Sequence, residues 1–350
     1  MPPFPPRNRR DFEIAIICAL PLEANCVHAV FDQFWEDDYG KAPGDPNAYT
    51  TGVIGDHNVV LAHMPNMGKV SASSVAASLR SSFANVKLAL VVGICGGVPQ
   101  RTDKEEIFLG DVVISEALVQ YDFGKQYPEA FEEKNTLEDG LGRPSREIRT
   151  MMAKLKTFRY RQKMQDDAGR HLQALQQALP EAQRPDLETD KLFEPLYLHK
   201  HRESAMGVLC DACRQGEKQI CRIALGMSCD ELGCENERLI SRWRRPPAQS
   251  SKSEEYLPVI HFGKMGSGDT VMKSGQGRDR IANADGIIAF EMEGAGVWDQ
   301  FSSVVIKGVC DYADSHKNKH WQYYAAATAA ACMKAFLRHW TLEDRSNGQG

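Results

Sequence analysis

The feature that most constrains the fold is a series of short, nearly continuous apolar segments separated by helix-like ones. Residues 13–20 and 86–92 are apolar at consecutive positions, which is typical of strands covered on both faces. Residues 58–63 and 111–118 are further predicted strands, and residues 69–83 have their small and apolar side chains at helical spacing. This alternation predicts an α/β core in the N-terminal third of the chain.

The C-terminal third has the same rhythm. Residues 259–265, 287–291 and 304–310 are predicted strands, while residues 294–301 and the Ala-rich stretch 321–340 are predicted helices. Because strands that alternate with helices form such cores, we expect a largely parallel or mixed sheet with helices on its faces. Ligands of such folds bind at the carboxyl ends of the strands.

Residues 126–256 interrupt this pattern. They are predicted to form a mostly helical insertion within a single domain that spans residues 11–340. Ser145 is a predicted N-cap for a run with helical spacing, and a second helix is predicted to end before Pro180. Because the stretch is charged and poor in strand-forming patterns, we interpret it as an addition to the α/β domain and not as a separate catalytic unit.

Composition limits the classes of function. The chain has 350 residues and a formal net charge of -5 without a concentrated basic stripe, which argues against nucleic-acid binding. It has no run of about 18 apolar residues, so no membrane-spanning helix is expected. Residues 1–10 lack the apolar region of a signal peptide. We therefore expect a cytoplasmic protein with flexible tails at residues 1–10 and 341–350.

Five short motifs at the predicted strand ends are candidates for chemistry. They are ALPLE at residues 19–23, VGICGG at 92–97, SGD at 267–269, EMEG at 291–294 and CD at 310–311. Each motif alone has an ordinary structural explanation, since glycines form tight turns and carboxylates at strand ends often cap helices. Their order and spacing along one chain are more specific than any one of them.

In these motifs the chain resembles the superfamily of nucleoside phosphorylases and methylthioadenosine nucleosidases, in its fungal ribonucleosidase-like branch. The resemblance covers residues 11–125 and 256–340, and its most specific parts are EMEG and the strand sequence VVIKGVCD. It implies a three-layer α/β/α fold around a central mixed, twisted sheet. It also implies cleavage of the bond between a purine and ribose, without a catalytic cofactor, in a homo-oligomer.

The resemblance implies roles for four residues. Glu293 would bind the ribose 2′- and 3′-hydroxyls, and Met292 would line the sugar. Asp311 would protonate or hydrogen-bond purine N7, and Glu23 would act as the base that orients the attacking water. These roles suit the reaction, because bond cleavage leaves negative charge on the base and positive character on the ribose.

The base itself is predicted to contact apolar side chains. Val271 and Met272 correspond to positions that sandwich the base in nucleosidases, and core packing is the alternative explanation for both. Cys310 stands where many relatives have serine, which removes a hydroxyl near the base edge. Phe123, together with Tyr121, follows a predicted strand and is a candidate aromatic wall.

The choice of nucleophile depends on the glycine-rich segment, which is predicted to be a turn. Its members are Gly93, Ile94, Gly96 and Gly97. Bacterial phosphorylases of the superfamily hold phosphate with an arginine and a serine, and these positions fall on Val91 and Ile94. Two apolar side chains do not replace a guanidinium and a hydroxyl around a dianion. An acid at Glu23 would also repel phosphate, so hydrolysis is the predicted reaction.

Three alternatives stay open from the sequence. Lys69, Arg80 or the loop lysines Lys317 and Lys319 would allow an anion site elsewhere, and hence a phosphate-dependent phosphorylase. The same loop would suit a nucleotide substrate such as ATP. The third alternative is a sensor or effector module that binds nucleosides without turnover, although a bare binding pocket does not need an acid at N7.

Cysteines crowd into the insertion. Cys210, Cys213, Cys229 and Cys234 are predicted ligands of a structural zinc ion, on the basis of the CxxC spacing of the first pair. Cys221 lies between them in the sequence. Disulfides and unbound thiols are the alternatives. A metal or a set of disulfides would stabilise a segment that has little core of its own.

Overall fold

The computed structural model describes residues 5–36, 39–100, 105–134, 136, 138–202, 213, 221–242, 257–317 and 319–341. Within these residues, nine strands form one mixed sheet and two strands form a small hairpin. In chain order the strands are β1 (Ile14–Cys18), β2 (Gln33–Phe34), β3 (Ala48–Ile54), β4 (His57–His63), β5 (Leu88–Gly97), β6 (Val112–Val119), β7 (Gly124–Gln126), β8 (Phe131–Glu133), β9 (Ile260–Ser267), β10 (Ile287–Glu291) and β11 (Ser303–Asp311).

The large sheet closes on itself at one end. Its strand order is β10-β9-β6-β11-β5-β1-β4-β3-β2, and β10 also pairs with β5, so the first five strands of this order form a ring. β10 runs parallel to β9 and antiparallel to the last residues of β5. β1 and β11 flank β5, and both run parallel to it. The carboxyl ends of β1, β5 and β11 therefore lie side by side.

Helices cover both faces of this sheet. They are α1 (Pro21–His28), α2 (Lys69–Ser82), α3 (Arg146–Leu155), α4 (Phe158–Ala178), α5 (Cys229–Leu232), α6 (Gly275–Asp285), α7 (Gly294–Trp298) and α8 (Gln322–Leu337). α8 packs on β5, β6 and β11 and contacts α1 and α4, whereas α7 packs against the same strands and contacts α2. The α/β fold with a central mixed sheet, as the sequence predicts, is confirmed.

Strand β11 shows how the two faces are used. Successive side chains of a strand point to opposite faces. Here Lys307 reaches Glu293 next to α7, while Gly308 faces α8, where a Cβ would lie 1.9 Å from the Ala325 backbone oxygen. The alanines of α8 fit this close approach, because small side chains are buried around most of the helix without holding it away from the sheet.

Several helices and strands predicted from the sequence are confirmed, and the structure contains others that were not predicted. Ser145 caps α3 by accepting the backbone N–H of Ile148 at 3.3 Å, and α4 ends at Ala178, ahead of Pro180. The sequence pattern did not predict α1, β3 or α6. The sequence of α6, GQGRDRIANAD, is rich in glycine and charge, so its local pattern does not indicate a helix.

The insertion combines two long helices with irregular chain. α3 and α4 bury their apolar side chains, and α4 lies along α8. Between residues 179 and 242, the described residues form short helical turns and one isolated bridge, Phe193 to Leu239. The first half of the described insertion is therefore mostly helical, while the second half has little regular structure and is positioned by side-chain contacts.

Among the described residues, no helix has the length and apolar character that crossing a membrane requires.

The contact between β11 and α8 predicts that Gly308→Ala destabilises the domain. The added methyl group would overlap with the α8 backbone, and overpacking of this kind costs about 1–3 kcal/mol of unfolding free energy. Thermal and denaturant unfolding of Gly308→Ala measure the effect. Gly142→Ala is the matched control, because nothing lies within 4 Å of a Cβ at Gly142. Equal stability of the two variants would contradict the close approach.

Candidate active site

Glu23 lies in the first turn of α1, directly after β1, and is buried. Its carboxylate accepts three backbone N–H groups, those of Ala19 and Leu20 at 2.9 Å each and that of Ile94 at 2.8 Å. Burial raises the pKa of Glu23, although the nearby Lys307 ammonium opposes this shift. The fold therefore fixes a buried carboxylate against β5.

Two glycines of β5 make room for the acids that approach this strand. A Cβ at Gly93 would lie 1.9 Å from Glu23 Oε1, and one at Gly96 would lie 2.9 Å from Asp311 Oδ1. The prediction of a glycine-rich turn was wrong, since residues 93–97 are the last part of β5 and pair with both β10 and β11. At Gly93 and Gly96, the close approach of carboxylates excludes a side chain.

A buried lysine joins the acids at the centre of the sheet. Lys307 pairs with Gly93 across β11 and β5, and its ammonium lies 2.8 Å from Glu293 Oε2. Burial acts to lower the pKa of Lys307, but the three surrounding glutamates raise it, so the amine stays charged.

Lys307 was not among the site residues predicted from the sequence. The available signal was a charged residue inside the apolar strand VVIKGVCD, because a buried lysine requires a paired acid.

The EMEG segment turns sharply between β10 and α7. The Glu291 carboxylate accepts the backbone N–H groups of Glu293 and Gly294 at 2.9 and 2.8 Å. The Ser267 hydroxyl, at the end of β9, accepts the N–H of Ala295 at 3.0 Å. Burial raises the pKa of Glu291, against the opposing effect of the nearby ammonium. This network fixes the turn and holds the Glu293 side chain beside the buried amine.

Asp311 ends β11 at an irregularity in the sheet, where the register between β11 and β5 shifts. Its Oδ1 accepts the backbone N–H of Ala313 at 2.8 Å, and its Oδ2 lies 3.1 Å from the Lys317 amine. The Cys310 thiol donates to the same Oδ2 at 3.3 Å. Register shifts are frequent beside active sites, because they re-aim a side chain that the regular ladder would direct elsewhere.

The chain that follows Asp311 adopts an unusual conformation. Ala313 is fully buried and has a φ of 53°, and it is the one non-glycine residue with positive φ in the described part of the chain. Such a conformation costs on the order of 1–3 kcal/mol and persists where the surroundings enforce it. Arg278, which is also buried, donates to the Tyr312 carbonyl at 2.8 Å. Strain of this kind is common at functional sites.

Side chains of the insertion contact the same loop. The Tyr312 hydroxyl donates to Asp190 Oδ1 at 2.5 Å and accepts from Arg242 Nη1 at 2.5 Å. The backbone N–H of His199 donates to Ser315 Oγ at 3.0 Å. The insertion therefore supports the residues that follow Asp311.

A small apolar cluster lies next to this loop. It consists of Val98, Tyr121, Ala282, Ile287, Phe290 and Ala313, with Met272 packed against it. Among the predicted base contacts, Met272 and Tyr121 thus join one cluster. Val271 and Phe123 face solvent, with exposed fractions of 44% and 41%. Met292, the predicted sugar contact, is half-buried.

Three of the four cationic residues considered for an anion site have other partners. The Lys69 amine lies 2.5 Å from Asp122 Oδ1 and 3.9 Å from Asp269 Oδ2. Arg80 donates to a backbone carbonyl, and the Lys317 amine pairs with Asp311 at the end of β11. The charges of Lys69 and Lys317 are therefore already balanced by carboxylates, whereas Lys319 is exposed.

The predicted zinc ligands fall into two groups. Cys213 lies with Cys221 and a histidine, and Cys229 lies with Cys234 and another histidine, so the structure does not bring Cys213 together with the later pair. Cys210 lies outside the described residues.

Two surface concavities lie away from the acids. One is lined by residues between Phe34 and Phe83, and the other by residues between Pro46 and Val75. Neither of them is lined by Glu23, Glu293 or Asp311.

Comparison with known proteins places this geometry in context. The sequence profile described as phosphorylase superfamily matches residues 13–176. A nucleotide-binding leucine-rich repeat (NLR)-like protein of Hyaloscypha variabilis is 33% identical over 334 residues, which are 93% of this chain and 29% of that protein. A 5′-methylthioadenosine/S-adenosylhomocysteine nucleosidase of Mycobacterium bovis is 29% identical over 111 residues, which are 32% of this chain and 39% of that protein.

Solved structures share the fold. The MTA/SAH nucleosidase of Streptococcus pneumoniae, in complex with 8-aminoadenine, matches with a TM-score of 0.51 and 18% identity. The match covers 94% of this chain and 100% of that structure.

The mixed sheet, with acids at the ends of its strands, defines an α/β protein of the nucleosidase fold. Residues 13–176 match the phosphorylase superfamily, as the motifs indicated. It spans about 29% of the length of the fungal relative and 39% of that of the mycobacterial relative.

The buried ion pair predicts a large loss of stability in Lys307→Met. This variant leaves Glu293 and its neighbours without a counter-charge, and breaking a buried pair costs about 3–5 kcal/mol. The double variant with Glu293→Gln should recover part of this loss, as denaturant unfolding measures. Lys156→Met is the control, since its pair with Glu116 is solvent-exposed and worth at most about 1 kcal/mol. A loss no larger than that of the control would refute the central role of Lys307.

Proposed function

We propose that the chain hydrolyses the N-glycosidic bond of a purine nucleoside to free base and ribose. The observation that carries this proposal is the convergence of Glu23 and Glu293 on one buried ammonium, with Asp311 at the end of the strand that supplies this ammonium. This arrangement provides separate groups for the water, the sugar and the base, which are the three components of the reaction.

In the proposed reaction, a water oxygen forms a bond to C1′ while the bond between C1′ and N9 breaks. The bonding electron pair goes to the base, and the Asp311 side chain delivers a proton or a hydrogen bond to N7 of the base. Glu23 accepts a proton from the water, and Glu293 binds the ribose hydroxyls and stabilises the positive character of the sugar. Atoms and charges balance without a redox partner or a metal.

The geometry at Asp311 adds a second group to the acid side of this scheme. Asp311 Oδ1 is occupied by the Ala313 N–H, and Oδ2 by the Lys317 amine and the Cys310 thiol. A purine N7 therefore approaches either by displacing Lys317 or by meeting its ammonium. Burial acts to lower the pKa of Lys317, but Asp311 and its neighbours raise it. We include Lys317 as a positioning residue for Asp311.

The charge of the site supports water over phosphate as the nucleophile. Three carboxylates, those of Glu23, Glu291 and Glu293, surround the ammonium of Lys307, and the Lys317 amine lies 3.1 Å from Asp311 Oδ2. The positions where phosphorylases of the superfamily use an arginine and a serine are Val91, which is buried, and Ile94. Within the described residues, the two ammonium groups of the site are already paired with carboxylates, so a phosphate dianion would enter at a high electrostatic cost.

The similarity to nucleosidases named for 5′-methylthioadenosine and S-adenosylhomocysteine supports a purine substrate. The apolar cluster around Tyr121 and Met272 would suit the base. The prediction of a homo-oligomer stays a prediction.

The proposed reaction predicts that free base is released from a purine nucleoside at the same rate with and without inorganic phosphate. Chromatography of reactions with adenosine, guanosine, inosine, 5′-methylthioadenosine and ATP measures both the base and the sugar product. Phosphate-dependent release with ribose 1-phosphate as product would establish a phosphorylase. No release from any substrate, combined with binding, would establish a sensor module.

Asp311→Asn should lower kcat at least 100-fold, because an amide cannot deliver the proton and general acid catalysis contributes about 10²–10⁴-fold. Asp299→Asn is the matched control, since Asp299 is exposed at the end of α7. Circular dichroism checks that both variants fold. Near-normal turnover in folded Asp311→Asn would remove Asp311 from the mechanism.

The raised pKa of Glu23 predicts a pH dependence. A general base must be ionised, so activity should fall as pH drops through the pKa of Glu23, which burial raises above the ordinary value of 4.5. The fall of kcat/KM on the acid side of the pH profile should therefore occur at a higher pH than an exposed carboxylate would give. In Glu23→Gln, the residual activity should no longer fall on the acid side of the profile. If the residual activity of Glu23→Gln falls at the same pH as that of the wild type, the titrating group is a different residue.

A further inference from the structure

Two clusters of cysteine and histidine side chains lie in the insertion, outside the candidate active site. One contains His199, Cys229 and Cys234, and the other contains His201, Cys213 and Cys221. Within each cluster the potential ligand atoms all lie within 4.8 Å of one another. Among the described cysteines none forms a disulfide.

The distances in both clusters match those of a tetrahedral metal centre. Bond lengths to zinc of about 2.3 Å for sulfur and 2.0–2.1 Å for nitrogen place the two ligand atoms about 3.6 Å apart. His199 Nδ1 lies 3.8 Å from Cys229 Sγ and 3.7 Å from Cys234 Sγ. His201 Nδ1 lies 3.3 Å from Cys213 Sγ and 3.5 Å from Cys221 Sγ.

In each cluster two thiols converge on the same imidazole nitrogen. A neutral imidazole offers one lone pair, so it forms one good hydrogen bond to a thiol and not two. A metal ion placed between the three atoms binds all of them at once. The alternative is an imidazolium that donates to thiolates. Metal analysis distinguishes the two arrangements, because a protein with the imidazolium would bind no metal.

The surroundings of His199 fit a metal ligand. Its other ring nitrogen, Nε2, lies 2.9 Å from the Met227 carbonyl oxygen. In the neutral ring, this contact places the proton on Nε2 and leaves the Nδ1 lone pair facing the thiols. Metal-bound histidines almost always donate their second N–H to such an acceptor.

The local backbone brings the cysteines together. Ser228 caps α5, which begins at Cys229, and Gly233 ends it with a φ of 67°. The Cys234 N–H then donates to the Cys229 carbonyl at 2.9 Å. In the other cluster, the backbone N–H of Ala224 points to Cys221 Sγ at 3.4 Å.

We propose that the insertion binds two zinc ions, one at the cluster of His199, Cys229 and Cys234 and one at the cluster of His201, Cys213 and Cys221. Each cluster supplies three of the four ligands that a structural zinc takes, and imidazole with thiolate selects zinc over magnesium or calcium. The sequence predicted a single four-cysteine centre. The two histidines, which the sequence analysis did not single out, divide the cysteines between two centres.

The zinc at the His199 cluster would also position the loop after Asp311. His199 donates its backbone N–H to Ser315 Oγ at 3.0 Å, and its ring meets the His316 ring at 5.3 Å between centroids. His316 in turn stacks on Phe193 at 4.1 Å. Fixing His199 through a metal therefore restricts a loop that carries Asp311 at its start.

Metal analysis of the purified full chain tests the two centres. Mass spectrometry of the native protein and elemental analysis should both give two zinc ions per chain. His199→Ala and His201→Ala form a matched pair two positions apart, and each should lower the count to one. Cys26→Ser is the control and should retain two, because Cys26 lies in the core away from both clusters. Wild-type chain without zinc, or wild-type chain with a single zinc that both histidine variants lose, would overturn the proposal.

Two further measurements do not depend on any enzymatic activity. Cobalt(II)-substituted protein should show tetrahedral thiolate–cobalt absorption. The double variant Cys229→Ser with Cys234→Ser should lose about half of the wild-type absorption. The double variant Cys213→Ser with Cys221→Ser should also lose about half of the wild-type absorption. Hydrogen exchange at residues 313–317 should accelerate in the first pair of substitutions and stay unchanged in the second. Equal exchange in both would refute the positioning role. Because the metal count is independent of turnover, failure here is distinct from failure of the proposed hydrolysis.

Discussion

The buried ammonium of Lys307 is the interaction on which the site depends. It lies in a fully buried strand, 2.8 Å from Glu293, and its charge persists because three glutamates surround it. Without this cation, Glu23, Glu291 and Glu293 would place their charges close together in a region that excludes water, at a large cost in free energy. The lysine thus allows acids to be concentrated at the strand ends, at the site of the proposed reaction.

The backbone of β5 makes this concentration sterically possible. Gly93 lies beside the Glu23 carboxylate and Gly96 beside Asp311, and neither position has room for a Cβ. Because β5 pairs with β1, β10 and β11, one strand organises acids that come from three different parts of the chain. Closure of the sheet through β10 therefore brings EMEG to the same place as the ends of β1 and β11.

The insertion complements this arrangement from outside the sheet. Its residues Asp190 and Arg242 bind the Tyr312 hydroxyl, and His199 binds Ser315. These contacts help to hold Ala313 in its left-handed conformation next to Asp311. The second half of the insertion, which has little regular structure, thus supports the loop that follows Asp311.

The sequence by itself predicted much of the alternation of strands and helices and singled out Glu23, Glu293 and Asp311 as candidate site residues, because hydrophobic periodicity and short motifs are local properties. The tertiary structure alone decided that residues 93–97 continue a strand and that Lys307 is the common partner of the acids. It also decided which cysteines share a histidine. These features depend on contacts between residues far apart in the chain, and such contacts follow from how the sheet closes and not from any local pattern.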